Sequence, residues 1–222
     1  TNTTGGFNTA VGAEALKDNT TSANNCALGW RALHNNTTGT QNVGIGSSVL
    51  GQNTTANNNT AVGHLALSAA TTADNNSAFG FKTLYENTSG TRNVAIGLEA
   101  LMNNTTGSQN TALGYGSLWS NTTASENTGI GYQSLFFNTT GYRNSAIGHG
   151  SLYGNTTGYD NLAVGYQSLF TNTTGFRNTG VGSQSLANNT TGSQNTGIGF
   201  QALYANTTGA DNNAFGFCSL CS

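Results

Sequence analysis

The chain has 222 residues, of which 6% are charged and 35% hydrophobic, with no proline and a net charge of −2. Its six basic residues are outnumbered by eight acidic ones, which excludes the basic face that a nucleic-acid partner needs for counterion release. No run reaches the roughly 20 apolar residues that cross a bilayer, so no membrane contact is expected within this segment.

Glycine recurs at positions 12, 29, 46, 63, 80, 97, 114, 131, 148, 165, 182, 199 and 216, seventeen residues apart without insertion or deletion. Around each glycine the same phrase returns: Asn, any residue, a small residue, an apolar residue, Gly, then Leu and Asn-Thr-Thr-Gly. So strict a period marks a stacked repeat and argues against polar disorder. Residues 1–222 therefore read as a single repetitive domain. The chain opens and closes partway through a unit, so a segment of a longer fibrous protein is expected, with targeting information outside it.

Along one unit the first invariant column is Asn8, Asn25, Asn42 and onward to Asn212. Two residues later comes a column of Ala and Gly only, beginning Ala10, Ala27 and Gly44, whose small size implies close approach by another backbone. Val11, Leu28, Ile45 and their equivalents follow as an apolar column. In a strand residues two apart share a face, so Thr9, Val43, Val94 and Leu162 are expected beside the apolar column and the Ala/Gly column on the other side. After the glycine runs a column of leucine, from Leu16 to Leu220. A second Asn column (Asn2, Asn19, Asn36, Asn53) is interrupted at Ala70 and resumes at Asn87. The Asn-Thr-Thr-Gly segment supplies turn chemistry, with Asn and Gly expected to take the left-handed conformations.

Seventeen residues cannot hold the two helices of a helical repeat, whose period exceeds roughly 30. The expected fold is all-β, a parallel β-solenoid or β-roll of thirteen 17-residue coils. Stacked coils bring identical side chains into ladders, and the two Asn columns are then expected to hydrogen-bond along the stack, with a weak point at Ala70. Charges supply a check: Glu126, Arg143, Asp160 and Arg177 fall in one column with alternating sign, the pattern expected if neighbours about 4.8 Å apart touch.

About two or three buried apolar side chains per coil make a thin core, so lateral association is expected to help. Aromatic residues gather in two columns. Trp30, Phe81, Tyr115, Tyr132, Tyr166, Phe200 and Phe217 follow the glycine; Tyr85, Trp119, Phe136, Tyr153, Phe170 and Tyr204 follow the leucine. Such rows pack against a partner chain or stack on sugars, and Trp119, Phe136, Tyr153 and Phe170 are the candidate patch for a glycan or partner. Asn36, Asn53, Asn121 and Asn155 satisfy the N-glycosylation pattern. Cys26, Cys218 and Cys221 form no regular framework; free thiols are expected, the alternatives being a cross-link between chains or a metal pair at Cys218 and Cys221. His34, His64 and His149 are dispersed, as are the carboxylates, so neither a catalytic constellation nor a cofactor or metal site is expected.

The phrase Asn-Thr-Ala-Val-Gly-x-x-Ala-Leu, as at residues 59–67 and in variant form at 110–118, resembles the head repeats of trimeric autotransporter adhesins (the YadA-like head). Similar arrays occur in phage tail fibres. The resemblance covers all thirteen units, though this repeat is longer than the usual head unit. It implies a homotrimer of left-handed parallel β-rolls, with a structural or adhesive role at a cell or virion surface and host-surface glycans or matrix protein as partners. A single-chain solenoid polymerising end to end into a glycosylated extracellular filament is the alternative. Ice binding ranks below both, because adjacent threonines in a turn do not form a paired strand-face array.

Overall fold

The computed structural model describes residues 3–222, and these contain strands and turns but no helix. Thr1 and Asn2 lie outside the described residues. The chain divides into two compact units, Thr1–Gln109 and Asn110–Ser222. The N-terminal unit contains β1 (Thr9–Val11), β2 (Cys26–Leu28), β3 (Val43–Ile45), β4 (Thr60–Val62), β5 (Ser77–Phe79) and β6 (Val94–Ile96). In the C-terminal unit are β7 (Thr111–Leu113), β8 (Thr128–Ile130), β9 (Ser145–Ile147), β10 (Leu162–Val164), β11 (Thr179–Val181), β12 (Thr196–Ile198) and β13 (Asn213–Phe215). Within each unit successive strands pair in parallel and in chain order. Register is one full repeat: Ala10 lies beside Ala27, and Ala163 beside Gly180. This is a β-solenoid.

The backbone hydrogen bonds explain why a three-residue strand suffices. Thr9 N donates to Asn25 O at 2.8 Å, Gly29 N to Val11 O at 2.8 Å, and Leu16 N to Ala32 O at 3.0 Å. Donors throughout the coil thus find acceptors in neighbouring coils, and backbone satisfaction, a strong requirement for buried groups, does not depend on strand length. Inside a coil only tight turns close, such as Ala15 N to Gly12 O and Asn19 N to Leu16 O, both 3.3 Å.

Leucine fills the centre of the coil, and Leu33 through Leu186 are fully buried. The Ala/Gly column also points inward. Its small size reflects packing under side chains first, and the expected backbone approach at some coils, where a Cβ on Gly197 would lie 3.1 Å from Ala202 O. A Cβ on Gly44 would lie 3.2 Å from Val49 Cγ1, and one on Gly129 would lie 2.5 Å from Ser117 Oγ. The apolar column stands outside instead, with Val11 55%, Leu28 45% and Leu113 42% exposed. As expected, Val94 and Leu162 share that outward side.

Backbone geometry departs from expectation at the turns. Neither the Asn nor the Gly of Asn-Thr-Thr-Gly is left-handed; that conformation falls on Gln133 (φ 52°), Leu135 (φ 52°) and Arg143 (φ 52°) and on their equivalents in other coils. For L-residues it costs roughly 1–2 kcal/mol each, so packing between coils must impose it. The invariant glycine has two reasons to lack a side chain. At Gly131 φ is 133°, and a Cβ would sit 2.5 Å from the carbonyl oxygen of Gly148 in the next coil.

Candidate functional site

Both Asn columns form ladders. In the first, within each unit, Oδ1 of one Asn accepts the backbone N–H of the next, as in Asn42 N to Asn25 Oδ1 at 2.9 Å and Asn144 N to Asn127 Oδ1 at 3.0 Å. The same Asn144 donates through Nδ2 to Gly158 O at 2.8 Å, tying the strand to the corner. In the second ladder Asn155 Nδ2 donates to Asn138 Oδ1 at 2.7 Å and to Gly158 O at 3.0 Å. The interruption at Ala70 has the anticipated consequence: Asn53 Oδ1 is buried without a partner.

These ladders overturn the glycosylation candidates. Asn36, Asn53, Asn121 and Asn155 are fully buried. The Nδ2 that would carry a glycan is engaged in each: Asn36 with Gly39 O, Asn53 with Asn36 Oδ1, Asn121 with Ala124 O, and Asn155 as above. In the folded chain they are rungs.

The charge ladder forms as its signs required. Arg143 Nε lies 3.4 Å from Glu126 Oε2, Arg143 Nη1 3.6 Å from Asp160 Oδ1, and Arg177 Nε 3.9 Å from Asp160 Oδ2. Both arginines and Glu126 are more than half exposed, so each pair contributes at most about 1 kcal/mol. A second ionic cluster occupies the N-terminal unit: Glu14 meets Lys17 at 3.6 Å, Arg31 at 3.2 Å and His34 Nε2 at 3.1 Å. Desolvation pushes the Glu14 carboxyl up, but the combined pull of Lys17, Arg31 and His34 outweighs it, and the net displacement is downward.

The candidate patch is a continuous stack. Ring centroids are 5.3 Å apart from Trp119 to Phe136, 5.5 Å from Phe136 to Tyr153 and 5.0 Å from Tyr153 to Phe170, with planes within 16° of parallel. Each interior ring therefore has neighbours on both faces and offers its edge outward, where Phe137 packs edge-on against Phe136 and Tyr153. Sugars stack on ring faces, so the interior of this ladder is poorly suited to them. A parallel stack follows the glycine, Tyr115–Tyr132–His149–Tyr166, at 5.2, 5.0 and 5.3 Å. His149 is a rung in it, and His64 stacks on Phe81 at 5.7 Å. A third stack, Tyr142–Tyr159–Phe176, escaped the sequence reading although its members stand one period apart.

The cysteine expectation also needs correction. Cys218 and Cys221 are joined as a disulfide, with Cα atoms 5.0 Å apart, while Cys26 is a free thiol. Among the described residues no group of three or more His, Cys, Asp or Glu converges, and no helix is long and apolar enough to cross a membrane. Compared with protein-family models, curated proteins and solved structures, the chain matches none.

Proposed function

We propose that the chain is a non-enzymatic shaft segment of an extracellular or virion-surface fibre, assembled as a parallel homotrimer, that supplies rigid reach and many weak surface contacts. One observation carries this reading. The apolar strand column is solvent-facing: Leu28, Ile45, Phe79 and Ile96 are exposed in the N-terminal unit, and Leu113, Ile147, Ile198 and Phe215 in the C-terminal unit. Apolar rows of this kind mark association surfaces, and a second and third copy of the same row is the partner whose periodicity matches. The disulfide suits an oxidising, extracellular location. Buried ladders that hold the coils within each unit in register suit a stiff spacer, and recurrent outer columns suit avidity from repeated weak contacts.

Light scattering of the purified chain tests the assembly. A stable species of three chains supports the proposal; a monomer or an open-ended polymer rejects it, the latter favouring the filament alternative. Leu113→Asn combined with Ile147→Asn leaves the interior intact and is expected to lower the mass to one chain while the β circular-dichroism signal persists.

A further inference from the structure

The aromatic stacks of the C-terminal unit are all interrupted in one coil, the one that carries β11. In the column after the glycine, Ser183 stands between Tyr166 and Phe200; in the column after the leucine, Ala187 stands between Phe170 and Tyr204; and Ser193 follows Phe176. The alternating charges lapse in the same coil, where Gln194 separates Arg177 from Asp211. This coil therefore forms a neutral waist of small side chains between rows of large ones.

The three gaps are not equivalent. Ala187 is buried, so its gap is closed. Ser193 has its hydroxyl occupied by Phe176 N at 3.1 Å and Thr191 O at 3.4 Å, and Ala210 rather than a ring lies beyond it. Ser183 alone is partly exposed with a ring on each side: Tyr166, which ends the stack from Tyr115, and Phe200, which begins the stack with Phe217 at 5.2 Å. Here two aromatic faces are turned toward a missing rung.

Tyr166 and Phe200 are two coils apart, so their rings stand about 10 Å apart, twice the inter-strand spacing. Carbon contacts of about 3.5–4.0 Å require roughly 7–8 Å for one intervening flat ring and more than 10 Å for two. One ring fits, with slack if it is flat. A pyranose chair, whose C–H bonds project from both faces, takes up that slack. Beside the gap Gln201 Nε2 donates to Gln184 Oε1 at 2.9 Å, which places a row of amide donors and acceptors along the rim and no charge.

We infer that the Ser183 gap is a binding slot for one pyranose ring of a neutral polysaccharide, held between the faces of Tyr166 and Phe200 with its hydroxyls on the Gln184 and Gln201 amides. The inference deepens the proposed surface contact by moving it from the ladder Trp119–Phe170 to the break in a ladder. The N-terminal unit holds a related gap, Ser47 between Trp30 and His64. There Arg31 already lies 5.4 Å from the Trp30 ring centroid, so weaker binding is expected.

The test is a titration of the intact protein, carbon-labelled at Tyr and Phe, with cellopentaose, maltopentaose and mannopentaose, read by ring chemical shifts. At least one sugar at millimolar concentration is expected to move Tyr166 and Phe200 while leaving Tyr142 and Tyr159 in place. Ser183→Tyr completes the stack and is expected to weaken binding roughly tenfold or more. His149→Ser opens a gap of the same height between Tyr132 and Tyr166, with Gly150 where Gln184 stands, and is expected to create a second, weaker site, so a gain of binding is read as well as a loss. The slot is overturned if no sugar shifts these rings, if shifts spread evenly over all the stacks, if Ser183→Tyr binds unchanged while folded, or if only N-acetyltyrosinamide binds, which would point to a protein partner. A three-chain mass without sugar shifts sinks the slot and keeps the fibre; sugar shifts on a single-chain species do the reverse.

Discussion

The two units share the leucines, glycines and Asn ladders of their coils and differ in the residue before each leucine and in the outer columns. In the N-terminal unit the residue before each leucine is Ala15, Ala32, Val49, Ala66, Thr83 or Ala100; in the C-terminal unit it is Ser117, Ser134, Ser151, Ser168, Ser185 or Ser219, with Ala202 the one exception. Those serines adjust to the strand beneath them. Where the strand carries glycine, Ser117, Ser168 and Ser185 donate to Gly129 O, Gly180 O and Gly197 O; where it carries alanine, Ser134 and Ser151 turn back to Gly131 O and Gly148 O of their own coil. Outside, the C-terminal unit has aromatic stacks in three columns and an alternating charge row, whereas the N-terminal unit concentrates its ion pairs around Glu14. The difference teaches that the coil is specified by leucine, glycine and the two Asn ladders, and that the outer columns vary independently of it.

If that is so, breaking the shared interior should cost both units alike. Leu67→Ala and Leu135→Ala each remove a fully buried side chain, and each is expected to lose about 2–5 kcal/mol by chemical denaturation. Unequal losses would show that the interiors are not equivalent. The Asn ladder is complete in the C-terminal unit from Asn121 to Asn206, so Asn172→Ala, which removes the donor to Asn155 Oδ1 as Ala70 orphans Asn53 Oδ1, should cost about 1–3 kcal/mol. Conversely, Ala70→Asn supplies the missing rung to the N-terminal unit and should stabilise it by about 0.5–1.5 kcal/mol. A neutral or destabilising result would mean that the coil at Ala70 has no room for an amide.

The outer columns should respond more weakly. Asp160→Lys places a cation between Arg143 and Arg177; the loss is expected to be about 1 kcal/mol or less and to shrink as salt is added. Smallest is the effect of acid on the N-terminal cluster. The folded-state carboxyl of Glu14 is held below its ordinary value of 4.5, so its contribution is present above that pH and lost as pH falls through the lowered value. Glu14→Gln should remove this part of the pH dependence of melting and leave the C-terminal unit unaffected.

Much of this was legible in the sequence because a period makes every column its own control. The charge row could be read before any coordinates because only contact between Arg143 and both Glu126 and Asp160 gives alternating signs a purpose. Ala70 declared the broken rung in the same way. What escaped reading depends on direction and conformation. Asn36 looks the same in sequence whether its amide points to solvent or into a ladder, and its pattern with Thr37 and Thr38 suggested a glycan where the fold has a rung. Leu135 at positive φ contradicts its own propensity and is explained only by the coils on either side. The aromatic columns were visible as columns, but whether they offered faces or edges rested on ring orientation. That orientation shifts attention from Trp119, Phe136, Tyr153 and Phe170 to the gap at Ser183.

The backbone hydrogen bonds between Thr9 and Asn25, or Leu16 and Ala32, have a mechanical consequence. Because nearly every bond of a coil is made to the coil beside it, tension applied at the end of a unit loads one coil's bonds at a time rather than all in parallel. Each coil that peels away frees seventeen residues, or roughly 55–60 Å of extended chain. The next coil then meets the load with the same set of bonds, so a unit under pull lengthens in even steps at a nearly constant force and acts as a molecular shock absorber.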